Sequence, residues 1–193
     1  MKKFIVPTII SLFVFLLLTP LFQALTSYLH PIVLLVLFGC IFVCTLLIYL
    51  YIRNDHLTLS ANLLSIFMIL YAVSLLILLF FRPNEQQYDT INLIPFSTIS
   101  LFLSGEVNWL VSFYNLAANI GLFIPFGVLL KWRTKSRTSL LLVPIFAISA
   151  IELLQYITSR GSLDIDDLLL NTLGFWIGYA LTPVFKKIII VKR

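Results

Sequence analysis

Apolar residues run along this chain in stretches of roughly twenty, broken by short polar connections. At 1.5 Å of rise per residue, ~20 apolar residues in a helix match the ~30 Å thickness of a bilayer's hydrocarbon. Six such stretches predict six spanning helices: Phe4 to Leu25, Pro31 to Ile52, Ser60 to Phe81, Trp109 to Leu130, Ser139 to Ile157 and Asp167 to Phe185. Pro7 and Pro20 fall near the ends of the first, and Pro31 suits a first helical turn, where no N–H is required. The connection from Arg82 to Asn108 breaks the pattern. Its middle, Thr90 to Leu103, is too apolar for free solvent and too short to span, so it predicts an interfacial or re-entrant piece with a turn at Pro95. The plainer alternative is a loop resting on headgroups. The expected fold is all-α: a polytopic membrane protein of about six transmembrane helices in one bundle. Residues 1–81 would form three helices, 82–108 the connection, and 109–193 three more helices with a basic tail.

Composition agrees with a membrane solvent. The chain is 61% hydrophobic and 11% charged, where a soluble domain carries about 25% charged residues. Its +5 net charge does not indicate nucleic acid as a partner, because the basic residues sit in short runs between apolar stretches. With a cytoplasmic amino terminus, eleven of the thirteen Lys and Arg residues fall on the inner side, and only Arg82 and Arg160 lie outside. Among the acids only Asp55 lies inside. This asymmetry predicts a multi-pass membrane protein with both termini in the cytoplasm. Lys2 and Lys3 before an apolar run also resemble a signal peptide, but the run is long and no small-residue cleavage site follows. Cys40 and Cys44 are one turn apart within a span and read as free thiols. No CxxC, HExxH or Cys/His cluster is present, so no metal or other cofactor is expected.

Polar groups gather in the last three helices. Asn115 and Asn119 share a face of the fourth, Glu152 and Gln155 lie near the end of the fifth, and Asp167 and Asn171 begin the sixth. Arg160, Asp164, Asp166 and Asp167 occupy the turn between the fifth and sixth, and Asn92 stands in the apolar connection. Helix directions and rise put these residues in the outer third or half of the bilayer, where converging faces would form a polar pocket open to the outside. Polar residues are costly in hydrocarbon, which makes such a cluster a functional hypothesis. Each member also has a plainer reading. Asp166 or Asp167 can cap the sixth helix. Asn119, Gln155 and Asn171 can join helices by hydrogen bonds, and Arg160 can be a solvated charge or an orienting partner for Asp164. Glu152 resists a plain reading, since a carboxylate within a span needs a partner, a wet cavity or a raised pKa. Gly174 and Gly178 form a small-xxx-small pair suited to helix packing, and Gly121 and Gly127 flank Pro125 where a kink or close crossing would fall.

Four segments in order carry a family resemblance: Asn92-Leu-Ile-Pro-Phe96, Asn115-Leu-Ala-Ala-Asn-Ile-Gly-Leu-Phe-Ile-Pro-Phe-Gly127, Glu152-Leu-Leu-Gln155, and Arg160-Gly-Ser-Leu-Asp-Ile-Asp-Asp-Leu-Leu-Leu-Asn-Thr-Leu-Gly174. Together they resemble the VanZ-like family of bacterial membrane proteins over roughly Thr90 to Pro183, and the first three helices match it only in being hydrophobic. The resemblance implies a bacterial cell-membrane location and a link to teicoplanin and lipoglycopeptide resistance. It supplies no reaction.

Three functions compete on the sequence. The first is a binding protein whose outward pocket holds a cell-envelope headgroup, with membrane lipids and a lipid-linked wall precursor or lipoglycopeptide as partners. The second is an intramembrane enzyme acting on a lipid phosphate or glycan, with Glu152 as general base and the Asp164–Asp167 cluster holding a divalent cation. His30 and His56 lie outside the cluster and no G-x-S-x-G element exists, which excludes a histidine phosphatase and an acyl-transfer serine. The third, a transporter, lacks an internal repeat and a midplane site. Nothing in the sequence sets an oligomeric state.

Overall fold

A computed structural model describes residues 2–26, 32–80 and 91–192. Pro31, Arg82 and Thr90, which entered the sequence expectations, lie outside them. The chain divides into two units, residues 1–59 with 186–192 and residues 60–185.

In the first unit, α1 (Lys2–Leu17) and α2 (Thr19–Thr26) replace the predicted first span. The interruption falls at Leu18. Pro20, the second residue of α2, has no N–H to give to Leu16 O, while helical bonds continue on either side, from Leu18 N to Val14 O and from Phe22 N to Leu18 O. The Phe15 ring packs on Phe22 and, edge-on, on Phe38 of α3 (Ile32–Ile52). The Lys3 ammonium donates to the Asp55 carboxylate at 2.6 Å, which holds that carboxyl below its usual range. Strand β1 (Leu57–Ser60) pairs with β4 (Ile189–Lys192). The amino-terminal lysine, the connection after α3 and the carboxy-terminal strand therefore gather at one end of this unit.

The second unit holds α4 (Ala61–Phe80), β2 (Ile91–Asn92), α5 (Ser97–Leu103), α6 (Trp109–Arg133), α7 (Arg137–Ile157), β3 (Leu163–Asp164) and α8 (Ile165–Ile188) up to residue 185. Among the described residues four helices are long and apolar enough to cross a membrane: α4, α6, α7 and α8. Helix α3 is 21 residues long and α1 is 16. The six predicted stretches correspond to these four helices, to α3, and to α1 and α2 together.

Specific contacts fix how the four helices run. Asn119 meets Asp167, Gly174 lies against Ile120, Gly178 against Ile124, and Lys131 against Tyr179, so α6 and α8 are parallel. Glu152 meets Asn171, and Arg137 and Leu140 share a cleft with Tyr179, so α7 is antiparallel to α8. Arg133 donates to Ser65 and the Tyr71 hydroxyl donates to Leu122 O, which sets α4 antiparallel to α6. The helices alternate in direction as successive spans must. One end of the unit gathers Lys131, Arg133, Lys135 and Arg137, and the other gathers Asp164, Asp166 and Asp167.

A core of Leu75, Leu79, Phe123, Ile148 and Phe175 draws one or more side chains from each of the four helices. Their outer faces expose Ile66, Phe67, Leu70, Phe113, Phe146 and Leu173, a surface that only lipid covers favourably. Lipid tails are as apolar as leucine, so packing rather than hydrophobicity must join the helices. Glycine makes that possible. A Cβ on Gly174 or Gly178 would fall 2.0 Å from the carbonyl oxygen of Ile120 or Ile124, and one on Gly127 would fall 1.9 Å from Phe175 O. Gly121, by contrast, faces open space. Gly174→Ala and Gly178→Ala are therefore expected to force α6 and α8 apart and cost about 2 kcal/mol or more. Thermal unfolding in detergent checks this, with Gly121→Ala as the neutral comparison.

Candidate functional site

The acidic end is built by two local devices and one distant one. Helix α7 closes with Ser159 in the left-handed region at φ 52°. Arg160 N donates to Gln155 O at 2.8 Å and Ser159 N to Tyr156 O at 3.0 Å, the paired bonds of a Schellman end, with serine where glycine is usual. The nearby Gly161 has a different task. A Cβ there would sit 3.1 Å from the Gln155 side chain, so its absence lets the turn close over that amide. Helix α8 then starts earlier than the sequence suggests. The Asp164 carboxylate accepts from Asp166 N at 2.9 Å, so Asp164 caps α8 and Asp166 and Asp167 fall in its first turn.

Asp166 is fully buried and serves a different helix. One of its oxygens accepts from Phe96 N at 2.6 Å, and the other accepts from Thr98 N at 2.8 Å and Ile99 N at 3.0 Å. These amides open α5, whose own cap position, Phe96, has a left-handed φ of 66° and no side-chain acceptor. The carboxylate supplies from across the chain what the local residue cannot. Asp164 adds a second tie, accepting from Thr98 Oγ1 at 2.6 Å and from Asn92 Nδ2 at 3.3 Å. Asn92 Nδ2 also donates to Ser97 Oγ at 2.7 Å and Thr98 Oγ1 at 3.0 Å, while its carbonyl oxygen accepts from Ile94 N. Strands β2 and β3 pair in parallel, Ile91 with Leu163 and Asn92 with Asp164. The connection before α6 is therefore a short folded element clasped to the start of α8, with Leu93, Ile94, Phe96 and Leu103 exposed on it.

Deeper along the helices the polar groups pair separately. Asn119 Nδ2 on α6 donates to Asp167. Asn171 Nδ2 donates to Glu152 Oε1 at 3.4 Å, and both residues are buried. Gln155 Nε2 donates to Leu79 O on α4 at 3.2 Å. Asn115 turns back to its own helix, donating to Val111 O at 2.8 Å. The Arg160 side chain has no hydrogen-bond or ion-pair partner among the described residues and does not touch Asp164. Three buried oxygens lack a partner among the described residues: Asn171 Oδ1, Thr172 Oγ1 and Ser112 Oγ.

The sequence-derived residues thus fall into three groups. Asn92, Asp164 and Asp166 form the clasp. Asn119 with Asp167, Glu152 with Asn171, and Gln155 with Leu79 are joints between helices. Asn115 and Arg160 belong to neither. Among the described residues no three His, Cys, Asp or Glu side chains converge as a metal group, and the oxygens of Asp164 and Asp166 are already filled by donors. Thr98, Ser97 and the amides of Phe96 and Ile99 were not singled out, because hydroxyls and amides in a connecting segment carry no local mark of a partner about seventy residues away. Ser112 and Thr172 are buried hydroxyls within α6 and α8, and a single Ser or Thr in an apolar helix gives no sign of its burial.

Asp166→Ala should free α5 without unfolding the spans. Three bonds to a charged acceptor are lost, so exchange of the Phe96, Thr98 and Ile99 amides is expected to rise about tenfold or more. Hydrogen exchange on the full chain in micelles reads this directly, and Asp166→Asn, which keeps one good acceptor, should fall between.

A family model described as VanZ/LLP1 matches residues 63–186. No curated protein and no solved structure matches the chain.

Proposed function

The chain belongs to the VanZ/LLP1 family, and on that premise we propose that it is a bacterial plasma-membrane protein binding a polar cell-envelope headgroup from the outer side. Both termini lie in the cytoplasm in this reading. The ligand is a lipid-linked wall precursor or a lipoglycopeptide such as teicoplanin, and the protein contributes to resistance by engaging it. The distribution of charge supports the orientation: the α6–α7 connection is basic and the α7–α8 turn acidic. The pairing of Lys3 with Asp55 fits an amino terminus and an α3–α4 connection on one side of the membrane.

The observation that carries the proposal is the Glu152–Asn171 pair. Both side chains are 5% exposed or less, and they stand about 8–9 Å along their helices from the acidic end at 1.5 Å per residue. The Asn171 carbonyl oxygen has no donor among the described residues. A buried acceptor left unmet costs about 1–3 kcal/mol, so a ligand hydroxyl or amide N–H reaching it would recover that loss. Amide and carboxylate groups of this kind suit sugar hydroxyls and peptide N–H groups.

Glu152→Gln keeps the volume and removes the charge, and Asn171→Leu removes the acceptor. Each should weaken binding of the purified protein to a lipid-linked precursor or to teicoplanin about tenfold, the size of a lost hydrogen bond to a charged group of ~1.5 kcal/mol. Resistance should fall in parallel at matched membrane abundance. Glu106→Gln, an exposed carboxylate at the same end, should change neither. Wild-type binding and resistance in both core variants would refute the proposal.

A further inference from the structure

The basic end of the same unit holds a second cluster that this reading does not use. Lys131, Arg133, Lys135 and Arg137 lie within seven residues, with no acidic residue among them. Arg133 is committed to Ser65 of α4 at 3.1 Å. The Lys131 ammonium sits 4.1 Å from the centroid of the Tyr179 ring and donates to its hydroxyl at 2.8 Å. That fixes the ring and leaves the phenolic hydrogen free to be given to another acceptor. Beside it opens a cleft of about 240 Å³ between the start of α7 and the second half of α8, lined by Arg137, Leu140, Leu141, Trp176 and Tyr179. Arg137 has no hydrogen-bond or ion-pair partner among the described residues.

We infer that this cleft binds an anionic phospholipid. Its phosphate lies between the Arg137 guanidinium and the Lys131–Tyr179 pair, and its upper acyl chain lies along Leu140, Leu141 and Trp176. Three features select such a ligand. A planar guanidinium and a donor hydroxyl line the same cleft and suit phosphate oxygens as acceptors. The walls beyond them are apolar and open, with Leu141 49% and Trp176 46% exposed, which a free anion would leave uncovered and an acyl chain covers. The position also fits. Arg137 begins α7 and Lys131 lies in the last turn of α6, so the cations stand at headgroup level, where tryptophan and tyrosine also prefer to lie. Basic pockets between helices at this level take anionic headgroups, and a zwitterionic lipid would bring an ammonium group against unpaired cations.

Full-length protein released from nanodiscs of mixed phosphatidylglycerol and phosphatidylcholine tests this by native mass spectrometry. The wild type should retain phosphatidylglycerol preferentially. Arg137→Gln should cut that retention about fivefold, and Arg137→Lys should lose part of it because the fork is gone. Lys135→Gln, an exposed charge outside the cleft, should stay within about twofold of wild type. Inorganic phosphate at matched concentration should neither displace the lipid nor raise the melting temperature. Circular dichroism checks that each variant folds. Undiminished retention in Arg137→Gln, equal loss in Lys135→Gln, equal retention of phosphatidylcholine, or displacement by inorganic phosphate would each overturn the assignment.

Discussion

A carboxylate with no exposed surface can persist only where donors surround its oxygens, and the acidic end of this protein is arranged to surround Asp166. Phe96, Thr98 and Ile99 turn their amides toward it, which requires Phe96 to adopt a left-handed backbone. For a residue other than glycine that conformation costs roughly 1–2 kcal/mol. Three charge-assisted hydrogen bonds, each stronger than a neutral one, offset it. Asp164 secures the same segment through Thr98 and Asn92 while capping α8. Two neighbouring acids thus join a connecting segment to a spanning helix with little help from hydrophobic burial.

The clasp needs a fixed platform, and the crossing of α6 and α8 supplies it. Carbonyl oxygens of one helix lie where side chains of the other would stand if Gly127, Gly174 and Gly178 carried them. Approach this close brings Asn119 within reach of Asp167 and sets Phe123 beside Phe175. The antiparallel α7 then delivers Glu152 to Asn171 at one end and Arg137 to the Tyr179 cleft at the other. One packing decision in the interior therefore positions polar chemistry at both ends.

Much of the helix order was legible from hydropathy, because length and apolar content report directly on what a bilayer accepts. The last four predicted spans and their alternating directions could be read this way, as could the segregation of acids from bases. Hydropathy reads the first span as one helix, and the break at Leu18 carries no signal of its own because the apolar run continues through it. The aspartate turn was legible as a cluster but not in its wiring. Local rules offer α8 as the helix that Asp166 would cap, whereas the residue caps α5, and nothing near either segment announces the other. Arg160 shows the converse: charge and proximity in sequence suggested a partner in Asp164, yet that carboxylate was already saturated by Thr98, Asn92 and a backbone amide.

The distance along the chain between Asp166 and the amides it satisfies has a consequence for biosynthesis. A ribosome delivers α5 roughly seventy residues before Asp166, at about 5–20 residues per second. For several seconds the leading amides of the short helix lack the acceptor that Asp166 later supplies. Its final conformation is imposed only when the start of α8 reaches it, so a chain truncated before residue 166 would carry this element in an unfinished state.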